Sequence, residues 1–242
     1  MVCLKAFSTR PEIVIHLATY PRAKIVDQDP INGIPKVIGT TTNLLWHATQ
    51  FDTKKFVYVS SSMVYGDFVD GTREESNTKP QNIYGEAKLT GERLTKLFAK
   101  RDGLNYTIVR PSGVYGPGDL PDRVVSKFFA KAMANEQITL QGADNLFDFT
   151  YVDDIVHGLE RVVDIKPQNE TYNITRGHAH TLQNMTDMLY AKLGAEPNYI
   201  REPKPANYPR RGALDITKAN EELEYCPTFD LHRGLDDTLN KS

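Results

Sequence analysis

The sequence predicts an α/β fold in which a parallel sheet is covered by helices on both faces. Short β-branched runs alternate with amphipathic segments along the chain, which is the pattern of strand–helix–strand units. A chain of 242 residues with 40% hydrophobic and 25% charged residues has an ordinary globular composition. These two observations favour one α/β unit, or one large and one small domain.

Each predicted element follows from its local periodicity. Short apolar runs predict strands over residues 13–18, 55–59, 105–109, 137–140 and 171–174. Apolar residues at helical spacing predict helices over residues 40–50, 84–100, 122–135, 152–163 and 182–193. The helix over 84–100 has the clearest pattern, because an apolar stripe runs along it with lysines and glutamates outside the stripe.

The charge balance, the cysteines and the hydropathy indicate which partners and which compartment the protein has. The net charge is −2, so the chain has no global basic field, and we predict no nucleic-acid partner. Cys3 and Cys226 are far apart and form no CxxC motif, which suits a reducing compartment. No apolar run approaches the ~20 residues of a membrane span. We therefore predict a cytoplasmic protein without a membrane partner.

One histidine pair could suggest a metal. His178 and His180 are separated by one residue, but no third ligand stands at a supporting spacing. We read them as surface histidines and predict no metal site.

Three serines follow a predicted buried strand. Phe56 to Val59 ends in Ser60, Ser61 and Ser62. The serines either cap a turn or are displayed for binding, because ligands of open parallel sheets bind outside the carboxyl ends of strands. Arg110 and Pro111 close another predicted strand in the same way.

A tyrosine and a lysine open the predicted helix over 84–100. Tyr84 and Lys88 are four residues apart and share one helix face. A nearby ammonium favours the phenolate, so we expect a lowered pKa for Tyr84 and a proton-transfer site for an alcohol–ketone interconversion. The motif alone is weak in a chain with 12 tyrosines, where a surface Tyr–Lys pair is the alternative. A strand, then serines, then this motif is a much rarer order.

Several segments together resemble one protein family. FVYVSSSMVYG (56–66), YGEAK (84–88), VRPSGVYGPGD (109–119) and DFTYVDDI (148–155) occur in its order. The chain resembles the extended short-chain dehydrogenases/reductases, in the NAD-dependent epimerase/dehydratase group that acts on nucleotide sugars. The resemblance implies a doubly wound, Rossmann-type sheet with a small C-terminal substrate-binding lobe.

The resemblance also implies roles for particular residues. Tyr84 is implied as the catalytic acid–base, Lys88 as its partner, and Ser61 as the serine that holds the sugar oxygen. NAD is the implied cofactor, with NADP as the alternative, and the implied cofactor-binding residues are Ala18, Ser60, Tyr84, Lys88 and Pro111. The implied substrate-binding residues are Ser61, Ser62, Arg123 and Arg211. Each arginine could equally be a solvated surface residue.

The front of the chain departs from the family. The family begins with a strand, a GxxGxxG turn and a helix that bind the pyrophosphate of NAD. No such turn is present, and residues 13–18 resemble the family's fourth strand, which leaves roughly 60 residues without a counterpart. A clipped gene, a half that pairs with another chain, and a degenerate copy remain open as explanations. We expect the N-terminally truncated sheet to bind NAD weakly or not at all.

The predicted domains and activities follow from this layout. A partial dinucleotide-binding domain is predicted over 1–111 plus 145–172, and a substrate lobe over 112–144 plus 173–242. The first hypothesis is a nucleotide-sugar epimerase-type enzyme; a keto-sugar-nucleotide reductase and a catalytically impaired binding or assembly subunit are alternatives. A 4,6-dehydratase is disfavoured, because Ser62 and Met63 replace the Asp–Glu pair of that branch. We expect a homodimer through the helices that contain Trp46 and Tyr84.

Overall fold

The structure is a computed structural model that describes residues 7–19, 23–205 and 208–241, so Cys3 lies outside the described ranges. Ten strands lie in the described residues: β1 (Ile13–His16), β2 (Lys55–Val59), β3 (Asn105–Arg110), β4 (Val114–Tyr115), β5 (Ile138–Gln141), β6 (Leu146–Phe147), β7 (Thr150–Tyr151), β8 (Glu170–Asn173), β9 (His180–Thr181) and β10 (Tyr199–Glu202). The α-helices described are α1 (Ala23–Gln28), α2 (Pro30–Ile34), α3 (Thr40–Gln50), α4 (Ile83–Asp102), α5 (Val124–Met133), α6 (Val152–Ile165), α7 (Leu182–Leu193), α8 (Thr217–Leu223) and α9 (Leu231–Asn240).

The predicted parallel sheet is confirmed. Its four strands lie in the order β1-β2-β3-β8, and every neighbouring pair is parallel. Val59 pairs with Val109, and Arg110 pairs with Asn173. The strands therefore end at one common edge, and the segments that follow β2 and β3 leave the sheet side by side.

Helices cover both faces of this sheet, as the alternation predicted. On one face a core that includes Leu45, Phe56, Tyr58 and Phe98 joins α3 and α4 to the strands. On the other face α6 and α8 close a second core around Val57 and other buried apolar side chains. Burial of these side chains stabilises the sheet from both sides.

The helix α4 begins and ends at clear capping residues. The side chain of Asn82 accepts a hydrogen bond from the Gly85 amide at 2.8 Å, and Gly103 ends the helix with φ of 73°. Gly91 faces the Tyr58 hydroxyl so closely that a Cβ there would overlap it. Because Gly91 has no side chain, the helix lies close against β2 and sets the position of Tyr84 and Lys88.

A third core lies beyond the sheet. It joins α5, α7 and α9 around side chains such as Tyr115, Phe128, Tyr151 and Met185. The small pairs β5–β10, β4–β7 and β6–β9 connect this part of the chain. It contains much of the predicted substrate lobe, and the domain boundaries stay a prediction.

The outer edge of β1 is open among the described residues, since β1 pairs there with β2 alone. Ile15 is 39% exposed and Leu17 is 56% exposed. Ile15 also lines a groove of about 430 Å³ together with Val156 and Leu159 of α6. Native proteins normally cover or blunt the edge strands of a sheet, so this exposed apolar edge is unusual.

The predicted elements agree with the structure to within a few residues. The helices predicted over 40–50 and 182–193 have those bounds, and the predicted helix over 84–100 extends over 83–102. The sequence did not predict the turns between residues 23 and 39, which include a π-helical turn over Pro35–Gly39. Within the described ranges, no helix has the length and apolarity needed to cross a membrane.

Candidate active site

The three serines after β2 point to three different partners. Ser60 donates from Oγ to the Glu92 carboxylate at 2.6 Å, and Ser62 donates to Ser112 Oγ at 3.1 Å. The Ser61 side chain lies close enough to Tyr84 to lower the pKa of its phenol. Of the three serines, Ser61 is therefore the one that meets the predicted catalytic tyrosine.

A short helical turn holds Ser61 in this orientation. Ser61 is extended, with φ of −165°, and its Oγ accepts a hydrogen bond from the Met63 amide at 3.2 Å. The 3₁₀ turn over Ser62–Tyr65 ends at Gly66, whose φ is 74° and where a Cβ would overlap the Lys79 carbonyl. The sequence thus uses one serine both as a cap and as a neighbour of Tyr84.

Tyr84 lies in the first turn of α4 and is buried. Its backbone amide donates to the carboxylate of Asp27 on α1 at 3.2 Å. Burial raises the pKa of Tyr84 to about 12, while the charge of Arg123 and the hydrogen bond with Ser61 act in the opposite direction. The predicted lowering of this pKa is wrong for the structure, because desolvation of the phenolate outweighs both of those effects.

Lys88 is 2% exposed and reaches back to the end of β2. Its Nζ donates to the Val59 carbonyl at 2.8 Å and lies 5.8 Å from the centroid of the Tyr84 ring. Burial lowers the pKa of Lys88 to about 8, and the charge of Glu92 opposes that shift. An ammonium has three donors, and the described residues accept a hydrogen bond from one of them.

Arg123 lies close enough for its charge to act on Tyr84, although the two residues are far apart in sequence. It precedes α5 and donates to the Val114 carbonyl at 2.9 Å. An ion pair with Asp119 at 3.1 Å also holds the guanidinium. The structure therefore brings Arg123 towards the predicted site.

Arg211 borders the same site through Met63. Its Nη2 lies 3.1 Å from the Met63 sulfur, and its guanidinium carbon lies 5.2 Å from the centroid of the Phe147 ring. Burial lowers the pKa of Arg211. In the described part of the chain no carboxylate pairs with this guanidinium, which leaves a half-buried cation next to the cap that holds Ser61.

The remaining predicted cofactor residues lie at the strand ends. Ala18 is exposed just beyond β1, and Pro111 follows β3 and accepts from the Ser62 amide at 2.9 Å. Ser60 is buried, with its hydroxyl committed to Glu92. The roles assigned to these three residues stay predictions.

Two contacts with the site were not predicted from the sequence. Asp27 contacts Tyr84, and Glu92 contacts Ser60. Glu92 is four residues after Lys88 on the same helix, and this spacing could have pointed to it. His16 is 3% exposed, and its Nε2 lies 2.9 Å from Thr41 Oγ1, whereas its Nδ1 has no hydrogen-bond partner among the described residues. Burial and the charge of Lys88 lower the pKa of His16 to about 4.

A family model and a known relative both match most of this chain. The model of the NAD-dependent epimerase/dehydratase family matches residues 2–175. A dTDP-glucose 4,6-dehydratase from Streptomyces griseus is 29% identical over 93% of this chain and 70% of its own length.

Two solved structures share the fold closely. UDP-glucose 4-epimerase from Thermotoga maritima, with UDP-glucose, superposes with a TM-score of 0.94 at 30% identity, over 99% of this chain and 80% of that one. UDP-glucuronic acid 4-epimerase from Bacillus cereus, in complex with UDP-glucuronic acid and NAD, superposes with a TM-score of 0.94 at 26% identity, over 100% of this chain and 78% of that one. About a fifth of each neighbour therefore has no counterpart in this chain.

Proposed function

The chain belongs to the NAD-dependent epimerase/dehydratase family, and from that premise we propose that it is an NAD-dependent nucleotide-sugar epimerase-type enzyme. The observation that carries this proposal is the convergence of Ser61, Tyr84 and Lys88 at the carboxyl edge of a parallel sheet. A hydroxyl, a phenol and a buried ammonium in one place are suited to proton transfer at a sugar carbinol.

The protein's own residues have separable tasks in this reaction. Tyr84 exchanges the proton of the sugar hydroxyl, and Ser61 holds the same oxygen. The phenol is in its acid form at neutral pH, so it can protonate a sugar oxyanion directly. Taking the proton back requires positive charge near the phenolate, which Lys88 and Arg123 supply.

The residues present fit one end of NAD. Lys88 keeps donors that the described residues do not use, and it lies at the strand ends where dinucleotides bind in this class of sheet. Bound NAD⁺ supplies the hydride acceptor and one further positive charge. The sequence contains no GxxGxxG turn for the pyrophosphate, so the fit is restricted to the nicotinamide end.

We propose that Arg211 and Arg123 bind the anionic part of a nucleotide sugar. A guanidinium matches the oxygens of a phosphate in a bidentate geometry. Arg211 suits this task because it is half-buried and has no carboxylate partner in the described ranges. The two epimerase neighbours were solved with UDP-sugars, which have such a diphosphate.

Turnover tests the proposal and separates it from the reductase alternative. The chain is incubated with millimolar NAD and a UDP-hexose, and the products are separated by chromatography. An epimerase yields the second hexose with no net change at the nicotinamide absorbance band, whereas a reductase consumes NADPH and a keto-sugar nucleotide. Tyr84→Phe should abolish either product, and equal turnover by this variant contradicts the assigned chemistry.

A second candidate function is a non-catalytic binding or assembly subunit. The exposed apolar edge of β1, with Ile15 and Leu17 open, favours it because such an edge can pair with another chain. Binding of a nucleotide sugar without turnover, with NAD and a partner chain both present, would support this candidate over the enzyme.

We also propose that the chain forms a homodimer through α3 and α4. These helices pack side by side, and each displays a large apolar side chain, Trp46 at 49% and Leu97 at 58% exposure. Trp46 is therefore available for an interface rather than part of the core. Sedimentation velocity should show a dimer that Trp46→Glu dissociates, while Ile31→Glu, at an 84% exposed apolar site outside these helices, should leave it intact.

A further inference from the structure

A buried ion pair lies directly behind the proposed catalytic residues. Glu92 of α4 and Arg110 at the end of β3 are 1% and 4% exposed. Arg110 Nε donates to Glu92 Oε1 at 2.9 Å, and Nη2 donates to Oε2 at 2.7 Å. Ser60 Oγ donates to the same Oε1 at 2.6 Å. The carboxylate thus links the ends of two neighbouring strands to one helix.

Three consecutive residues at the end of β2 contact three neighbouring turns of α4. The Val59 carbonyl accepts from Lys88, the Ser60 hydroxyl donates to Glu92, and the Ser61 side chain lies close enough to Tyr84 to lower its pKa. These bonds are directional, so together they fix how far the strand end lies along the helix.

Stability alone does not explain this pair. Removing two charges from water costs free energy that their attraction hardly repays, and well-packed apolar residues often do as well or better. Apolar residues could not accept the Ser60 hydrogen bond or place negative charge one helical turn from Lys88. The pair therefore supplies direction and charge rather than net stability.

The surroundings of Lys88 make the charge of Glu92 important. The Lys88 ammonium faces the Tyr58 ring at 5.2 Å and the Tyr84 ring at 5.8 Å, with His16 near enough to interact with its charge. Glu92 is the carboxylate whose charge raises the pKa of Lys88 against the effect of burial, and Arg110 lies on the far side of that carboxylate.

We propose that Glu92 is a positioning residue: held by Arg110, it fixes residues 59–61 against α4 and keeps the Lys88 ammonium charged and in place beside Tyr84. The inference rests on the proposed function for its effect on turnover. Its structural part concerns only this chain's own residues and can be measured without turnover.

The test compares Glu92→Gln and the double variant Glu92→Met/Arg110→Met with the parent chain. Glu86→Gln is the control, because Glu86 is exposed on the same helix and pairs only loosely, at 3.5 Å, with Arg93. Lysine residues are labelled with ¹³C at Cε, and the Lys88 signal is assigned by its loss in Lys88→Met. We expect the Lys88 titration midpoint to fall by about one pH unit or more in both Glu92 variants and to stay at the parent value in Glu86→Gln.

Thermal unfolding and kinetics separate positioning from a structural role. The apolar double variant should still unfold cooperatively, yet lose at least about tenfold in kcat with little change in KM. Ser60→Ala, which keeps the ion pair, should lose a similar factor, whereas Thr95→Val, which removes another buried hydroxyl from α4, should not. A double variant with parent-like stability, midpoint and kcat overturns the proposal. If the parent itself shows no turnover, the proposed function fails. The titration still tests the further inference in that case, because an unchanged Lys88 midpoint in the Glu92 variants overturns the positioning of Lys88 by Glu92.

Discussion

The side chain of Ser61 lies beside Tyr84, close enough to lower the pKa of the phenol, while its two serine neighbours bond Glu92 and Ser112. Three identical residues in a row thus have three different environments. The strand end presents Ser61 to the helix, and the direction of each hydroxyl follows from the extended conformation at Ser61 and the turn after it.

Ser61→Ala should lower kcat by at least about 100-fold, since it removes the hydroxyl that shares the sugar oxygen with Tyr84. Ser61→Thr keeps the hydroxyl and should retain most of the turnover. Ser60→Ala should cost less than Ser61→Ala, because its hydroxyl faces Glu92. Steady-state kinetics measure kcat for the three variants, and unfolding curves check that each variant folds. A lower kcat for Ser60→Ala than for Ser61→Ala would contradict the assignment.

Replacing Arg211 by Met should weaken nucleotide-sugar binding about tenfold or more, since a half-buried guanidinium makes strong charge-assisted hydrogen bonds to phosphate. Arg210→Met is the matched control, because Arg210 is exposed and adjacent. Calorimetric titration with a UDP-sugar measures both. Equal affinities for the two variants would assign the phosphate to other residues.

Protonation of His16 should destabilise the chain in acid. Its folded pKa is about 4, below the ordinary value of 6.5, so the stability linked to its neutral form is present above pH 6.5 and is lost as pH falls towards 4. The parent should lose on the order of 3 kcal/mol more than His16→Gln over this range. Urea unfolding at several pH values measures the free energy of unfolding, with His232→Gln as an exposed control. Parallel dependence of this free energy on pH in the parent and in His16→Gln would refute the prediction.

Asp148 should have the opposite pH dependence. Burial raises its pKa to about 6, although the Leu214 and Gly177 amides donate to its carboxylate at 3.1 and 3.3 Å. The stability linked to its protonated form is full below pH 3.8 and is lost as pH rises through 6. Relative to Asp148→Asn, the parent should lose on the order of 3 kcal/mol between pH 4 and pH 7. Asp144→Asn, at a carboxylate that is 85% exposed, should show no such difference from the parent.

The 242-residue chain alone should bind NAD only weakly. It contains no glycine-rich turn for the pyrophosphate, and the apolar edge of β1 is open in the described structure. Isothermal calorimetry should give a Kd well above the micromolar range. Sub-micromolar binding by the purified chain would contradict this expectation.

Local patterns predicted most of the fold. The helix over 40–50 and the strand over 55–59 have the predicted bounds because apolar periodicity and burial agree there. The segment between residues 23 and 39 was missed, since its short turns and prolines carry no periodicity. Trp46, open to core or interface from the sequence, is half exposed because α3 turns it away from the sheet.

The sequence by itself determined which chemical groups stand at the strand ends: the serines after β2, the tyrosine and lysine one turn apart, and the absence of a glycine-rich turn in these residues. Spacing along one element is enough for such inferences. The family resemblance already selected Ser61, but only the tertiary structure decided that Glu92 joins two strands to the helix and that burial raises the pKa of Tyr84. Hydroxyl direction, ion pairing across strands and desolvation all depend on residues distant in the chain, which sequence spacing does not encode.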